Sequence, residues 1–158
     1  YLNFVASVNG AFLIPLREKK QLMVADAHLD KIQIVNDSLE TVKEIVGPDF
    51  FSPSYTAVQN DSPEKFILFA GNKFFKTYTD YTMTDEFIYL IYHGTTSFDP
   101  LNLTPVEVFK FDFNLNPICR YKLDRYIYNI SIDRKNEYLY GTSRQSAQEL
   151  PVLIRYKL

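Results

Sequence analysis

The chain has 158 residues, of which 46% are hydrophobic and 23% are charged, a composition ordinary for one soluble globular domain. Its formal net charge of -2 lacks the basic excess that binds phosphates, so we expect no nucleic-acid partner. Aromatic residues make up 16% of the chain, as twelve Tyr and thirteen Phe, which favours strands over helices.

The chain carries no visible targeting segment. No apolar run approaches the roughly 18 residues needed to cross a bilayer, and residues 1–8 lack the basic flank and cleavage pattern of a signal peptide. Because the chain begins with Tyr1 and not with Met, we expect a trimmed or mature chain, or a fragment of a longer one. The single Cys119 cannot form an internal disulfide, and its strand-like surroundings predict a buried, unreactive thiol.

The first part of the chain predicts a four-stranded unit over residues 11–46. A short apolar run at 1–8 is closed by Asn9 and Gly10, a dipeptide typical of hairpin turns. Extended segments alternating with turn residues then follow at 11–16, 21–26, 31–36 and 41–46.

The middle of the chain, residues 54–123, predicts a second and less regular unit. It contains a short strand at 55–58, an apolar run at 66–70 and a Tyr/Thr-rich segment at 74–84. Residues 87–92 are apolar at every position, which is typical of a strand covered on both faces. A long loop is predicted from His93 to Pro105.

Residues 106–158 read as strand and turn in alternation. Val106 and Val108 share one face of a strand and Phe109 and Phe111 share the other, because successive side chains point to opposite sides. This strand pairs with 117–121, and a second hairpin is predicted from 126–132 and 138–140. The final run, 152–158, repeats the alternation of 106–111 at about the spacing of one propeller blade.

Two segments, 31–46 and 106–122, can be laid over one another strand for strand. Antiparallel sheets repeated at this spacing must bury their faces against each other, so the sequence predicts an all-β fold of four-stranded blades packed radially. A β-sandwich is the alternative.

The repeated segments carry a family resemblance. The relevant runs are 22–26 with 31–34, 106–109 with 116–124, and 130–133 with 137–140. They resemble the C-terminal part of the TolB-like six-bladed β-propeller proteins of Bacteroidetes. The resemblance implies a secreted or lipid-anchored protein of the cell envelope, located outside the cytoplasm, and it offers no catalytic residue to carry over.

The chain has material for about three blades, whereas a closed propeller needs at least about four. We therefore expect a single partial ring with approximate blades at 11–46, 54–123 and 126–158, the last incomplete and closed by residues 1–8. Either the chain is a fragment of a longer protein, or two copies pair as a homodimer to complete about six blades; the alternative to both is an isolated, irregular β-domain.

Four residues are candidate ligand contacts. His28 and His93 are the only histidines, and both fall in predicted loops, where the alternative is an exposed residue without a role. Asp26 and Asp30 flank His28, but they lack the dense oxygen pattern of a calcium loop, so turn formation is the alternative for them. No motif for a metal, a nucleotide or another cofactor is present, and we expect none.

Two further groups of residues, one acidic and one aromatic, could form a catalytic or a ligand-binding site. Asp80, Asp85 and Glu86 are close in sequence, but this does not establish the paired geometry of a glycosidase. Exposed tyrosines could stack on sugars or peptides, although strand spacing predicts that most of them pack in the core. The tyrosines that are spaced for sheet faces are Tyr78, Tyr81, Tyr89, Tyr92, Tyr126, Tyr128, Tyr138 and Tyr140.

Two functions follow from these observations. The first is a non-enzymatic binding or scaffold module that recognises a protein, peptide or glycan through loops at one end of the blades, such as 93–104. The second is a hydrolase or lyase whose site lies in the central channel and needs residues outside this chain. The sequence favours the first.

Overall fold

The computed structural model describes residues 10–51, 75–96, 104–144 and 149–158. Within these ranges the chain forms eleven β-strands and one 3-10 turn, Arg17–Lys19, with no α-helix, so the all-β prediction is confirmed. The strands predicted at 1–8, 55–58 and 66–70 lie outside the described residues.

The first sheet is a four-stranded antiparallel meander in the order β1-β2-β3-β4. Its strands are β1 (Ala11–Leu16), β2 (Gln21–Asp26), β3 (Lys31–Val35) and β4 (Thr41–Val46). Each strand matches the sequence prediction to within one residue, because clean alternation bounded by turn residues leaves little freedom of register.

The second and third sheets repeat this pattern. The second, in the order β5-β6-β7-β8, consists of β5 (Phe75–Met83), β6 (Phe87–Thr96), β7 (Glu107–Asp112) and β8 (Pro117–Lys122). The third, in the order β11-β10-β9, consists of β9 (Asn129–Ile132), β10 (Tyr138–Ser143) and β11 (Val152–Lys157). The segments that overlay in sequence are therefore the third and fourth strands of the first two sheets.

Strand β6 forms the wall between two hydrophobic cores. Ile88 and Leu90 are fully buried in a first cluster shared with the first sheet. Tyr89 and Ile91, on the other face, are fully buried in a second cluster shared with the third sheet. The prediction that this strand is covered on both faces is confirmed. A two-layer β-sandwich is excluded for the described sheets, because the second sheet packs on both of its sides.

The three sheets are arranged radially. Strand β5 contacts both β1 and β9, so the first strand of each sheet lies next to that of its neighbour. A hydrogen bond to a carboxylate joins the inner strands β5 and β9: the Ile130 N–H donates to Asp80 Oδ2 at 2.9 Å. The last strands, β4, β8 and β11, are the most exposed of their sheets. This arrangement is that of a partial β-propeller.

Three sequence predictions were wrong. His93 is not in an exposed loop: β6 continues to Thr96, and His93 is buried with 8% of its surface exposed. Cys119 is exposed and not buried, because β8 is the last strand of its sheet and no further strand covers it among the described residues. Strand β9 begins at Asn129 and not at Tyr126, although the Tyr128 N–H still donates to the Thr142 carbonyl.

The inner-strand contact can be tested by removing the Asp80 carboxylate. Asp80→Ala leaves the Ile130 N–H without its partner, and we expect it to lower the free energy of unfolding by about 1 to 3 kcal/mol. Asp85→Ala is the matched control, because Asp85 is an exposed carboxylate in the turn after β5, and it should change stability by less than about 0.5 kcal/mol. Urea denaturation measures both; equal effects would contradict the proposed role of Asp80.

Candidate functional site

A pocket of about 280 Å³ opens at the end of the sheets where the inner strands β1 and β5 begin. We call it the tyrosine pocket. It is lined by Phe12, Ala27, His28, Lys76, Tyr78, Thr79, Tyr126 and Tyr128. These residues come from all three sheets or from the segments that enter them, so the radial packing creates the pocket.

The loop between β2 and β3 places His28 at the rim. Asp26 Oδ1 accepts the backbone N–H groups of His28 and Leu29, both at 2.8 Å, which fixes an Asx turn. The ring of His28 is oriented by a contact of 3.1 Å between its Nδ1 and the Phe75 carbonyl oxygen on the second sheet. Asp26 therefore forms the turn, as its alternative interpretation predicted, and it holds His28 beside the pocket.

Two irregularities in β5 set the polar side of the pocket. The pairing of β5 with β6 shifts between Lys76 and Tyr78 and again between Tyr78 and Asp80. Such bulges redirect side chains. The buried Thr77 Oγ1 lies 2.8 Å from the Asp26 carbonyl oxygen and 3.0 Å from that of Leu29, and its one proton is shared between them, which ties β5 to the first sheet. Thr79 Oγ1 lies 2.8 Å from His93 Nε2.

The segment before β9 holds the two tyrosines that close the pocket. Ser143 Oγ donates to the Tyr126 carbonyl at 2.6 Å, and the Tyr128 N–H donates to the Thr142 carbonyl at 2.9 Å. Gly141 allows this approach, because a Cβ at that position would lie 2.6 Å from Ile127 Cγ2. The positions of the tyrosines are therefore fixed by strand β10.

Cationic and aromatic groups alternate along this wall. Lys76 Nζ donates to Tyr126 Oη at 2.6 Å, and the Tyr126 and Tyr128 rings meet edge to face with centroids 4.7 Å apart. The Arg144 guanidinium lies 5.3 Å from the centroid of the Tyr128 ring. The Arg144–Tyr128 distance is in the range of cation–π attraction, whereas Lys76 Nζ, 5.2 Å from the Tyr126 centroid, lies at the hydroxyl end of that ring and contacts it through the hydrogen bond.

His93 supports the pocket from behind. Its ring centroid lies 4.8 Å from that of Tyr126, and its Nε2 bonds to Thr79. Burial, with a smaller contribution from the nearby Lys76 charge, lowers the pKa of His93 to about 3. His93 is therefore neutral at pH 7 and acts here as a packing residue.

Asp30 lies away from the pocket and organises a different turn. It has 1% of its surface exposed, and its Oδ2 accepts the backbone N–H groups of Asp49 at 2.6 Å and Phe50 at 3.0 Å. Burial raises the pKa of the Asp30 carboxyl above its usual range, more than these hydrogen bonds lower it. Asp30 thus fixes the chain where it leaves β4.

A second recess, of about 600 Å³, lies at the opposite end of β1 and β5. It is lined by Pro15, Leu16, Glu18, Lys19, Tyr81, Met83, Thr84, Asp85 and Phe113. The lysine of this recess, Lys19, forms hydrogen bonds within the protein: it donates to the Phe113 carbonyl and to the Asn114 side chain. The tyrosine pocket is the smaller recess, but its polar and aromatic groups converge, and we treat it as the candidate site.

The structure thus separates the four residues singled out from the sequence. His28 lines the tyrosine pocket, Asp26 and His93 support it, and Asp30 belongs to another turn. Sequence reasoning missed Lys76 and Thr79 and assigned Tyr126 and Tyr128 to sheet packing. The one available signal was a lysine at the start of a strand otherwise rich in Tyr and Thr.

A family model for TolB-like 6-blade propeller-like proteins matches residues 12–135. The chain belongs to this family. The resemblance noted in the sequence is confirmed, and a search of curated proteins found no match. In the described part of the TolB-like chain, no helix is long and apolar enough to cross a membrane. Nor do the described residues place three or more His, Cys, Asp or Glu side chains together to hold a metal ion.

The buried His93 predicts a specific dependence of stability on pH. The unfolded chain protonates this histidine below about pH 6.5, whereas the folded chain does so only near pH 3. Its stabilising contribution is therefore complete above pH 6.5 and is lost as the pH falls, at up to about 1.4 kcal/mol per pH unit. His93→Gln, which can retain a hydrogen bond to Thr79, should flatten the stability profile between pH 6.5 and 4.5.

Urea denaturation at several pH values measures the difference between the two proteins. Taking the difference cancels the carboxylates, whose contributions have both signs: Asp30 has a raised pKa, while Asp112 and Asp124 have lowered ones. Profiles that stay parallel over the whole range, with only the constant offset that the lost contact with Tyr126 would cause, would contradict the neutral, buried state of His93.

Proposed function

We propose that this TolB-like chain is a non-enzymatic binding module of the cell envelope that recognises a ligand in the tyrosine pocket. The carrying observation is the convergence of four aromatic rings with Lys76, His28 and Thr79 around one recess of about 280 Å³. Mostly apolar walls with a few placed polar groups are characteristic of ligand sites. Among a protein, a peptide and a glycan, the geometry favours a glycan, because the half-buried Phe12 and Tyr128 line a recess of roughly one sugar ring.

Binding without turnover is supported by how the nearby ionisable groups are used. Asp80 accepts the Ile130 N–H, and Asp26 accepts two backbone N–H groups, so both carboxylates are engaged in holding the fold. His93 has a lowered pKa and is packed behind Tyr126. A general acid or base must instead reach the substrate with a pKa near the working pH.

A hydrolase or lyase acting in the central channel is the second candidate, and one observation favours it. Lys76 Nζ lies 2.6 Å from Tyr126 Oη, and a lysine next to a phenol can assist proton transfer from a sugar or ester. Release of product from a glycan or ester panel would support this function. Saturable binding of the same compounds without product supports the first.

We also propose that the outer faces of the first and third sheets are covered in the complete assembly. Leu13 is 58% exposed and Val42 56% exposed on the face of the first sheet that points away from the core, and Leu153 is 75% exposed on the third sheet. Further blades of a longer protein or a second copy of this chain would bury them. The family and its envelope setting also support a location outside the cytoplasm.

Tyr128→Ala is the most direct test of the pocket. It removes a half-buried ring that lines the recess, and we expect it to weaken binding of an oligosaccharide selected from a glycan array at least about tenfold. Tyr138→Ala is the matched control, because Tyr138 is also half-buried beneath an arginine, with Arg155 4.8 Å from its ring centroid, but lies outside the pocket. Isothermal titration calorimetry measures both variants; equal losses would contradict the assignment of the site.

A further inference from the structure

One cationic side chain, Lys76, lines the wall of the tyrosine pocket. Lys76 and Arg144 each lie against one of the two tyrosines that close it, at 5.2 Å from the Tyr126 ring and 5.3 Å from the Tyr128 ring. The two rings are themselves in contact, so the cations flank one aromatic unit. His93, behind this unit, is neutral and adds no charge at pH 7.

Within the described part of the chain, the charge on Lys76 has no carboxylate partner. Its ammonium donates to the Tyr126 hydroxyl, which is a neutral acceptor, and none of the ion pairs among the described residues includes Lys76. An ammonium has three donors, so hydrogen-bonding capacity remains for a ligand. The carboxylates of Asp80, on the same strand, and of Asp26, at the end of β2, accept backbone N–H groups.

We propose that the ligand of the tyrosine pocket is a glycan that presents a carboxylated sugar, a uronic acid unit, with its carboxylate on Lys76 and its ring beside Tyr128 and Phe12. This inference rests on the proposed binding function and names the ligand class for the same site. A compact ammonium provides one point charge, which matches one carboxylate. The aromatic faces carry negative charge density and favour the C–H face of a sugar ring over a second anionic group.

The size of the pocket supports a single sugar ring. Its volume of about 280 Å³ lies just below the range of about 300 to 1,000 Å³ that is typical for drug-sized ligands. Thr79 and His28 also line the pocket, where polar atoms of these side chains can share hydrogen bonds with hydroxyl groups of such a ring. The carboxylate of an acidic peptide would also bind Lys76, but its short side chain would contact less of the Phe12 and Tyr128 rings than a sugar ring does.

The experiment compares the acid with its neutral ester on the unmodified chain. Calorimetric titration with a trigalacturonate and with its methyl ester compares the charged and the neutral compound, and the salt dependence separates the effect of the charge from that of the added methyl groups. We expect the acid to bind at least tenfold more tightly at low salt, and this preference to shrink as salt is added. Equal affinities would overturn the inference and leave the binding function standing. Absence of binding by both compounds and by every glycan on an array would overturn both.

Variants locate the charge effect. Lys76→Met should abolish the preference for the acid, whatever its effect on the affinity for the ester. Lys110→Met is the matched control, because Lys110 is a strand lysine whose Nζ contacts an aromatic residue, 3.7 Å from the Phe87 centroid, but lies outside the pocket; it should keep the preference. Tighter binding of an acidic peptide than of the trigalacturonate, or an unchanged preference in Lys76→Met, would overturn the proposal.

Discussion

The fold depends on the burial of β6 on both of its faces. A strand whose consecutive side chains are all apolar cannot be stable with one face in water, so it requires a sheet on each side. Ile88 and Leu90 meet the first sheet, and Tyr89 and Ile91 meet the third. Ile88, Leu90 and Ile91 are fully buried, and each such aliphatic side chain contributes about 1.5 to 3 kcal/mol to stability.

The candidate site follows from the same constraint. Because the sheets stack against β6, their first strands meet, and the beginnings of β1 and β5 approach the segment that leads into β9. The bulges in β5 then direct Thr77 to the first sheet and Thr79 to His93. The pocket is therefore built on paired strands and fixed hydrogen bonds, which suits a rigid binding surface.

Much of the fold was predictable because alternation and turn chemistry act locally. The apolar run at 87–92 indicated a strand covered on both faces, and Val106 to Phe111 indicated two different faces, each of which joins a different cluster. Alternation reports which face a side chain occupies, but not whether another sheet covers that face. Cys119 was misassigned for this reason, since it lies in the last strand of its sheet.

The site was less predictable because it is assembled across long sequence separations. Lys76 and Tyr126 are 50 positions apart, and nothing near either residue indicates the other. The Gly94 that follows His93 suggests a loop, yet Gly94 adopts a positive φ of 62° in β6 at the irregularity where the pairing with β5 shifts, as glycine can without strain. Only His28 and its supporting Asp26 could be located from local turn residues.

The most direct measurement of the central claim is methyl NOE spectroscopy on the chain labelled at Ile and Leu. The account predicts that the Ile88 and Leu90 methyls give cross-peaks to the first sheet, such as to Ile14 and Ile32. The Ile91 methyls should give cross-peaks to the other cluster, such as to Ile127 and Leu139. Cross-peaks from Ile91 to the first sheet would contradict this prediction. So would the absence of any cross-peak from Ile88, Leu90 or Ile91 to another sheet.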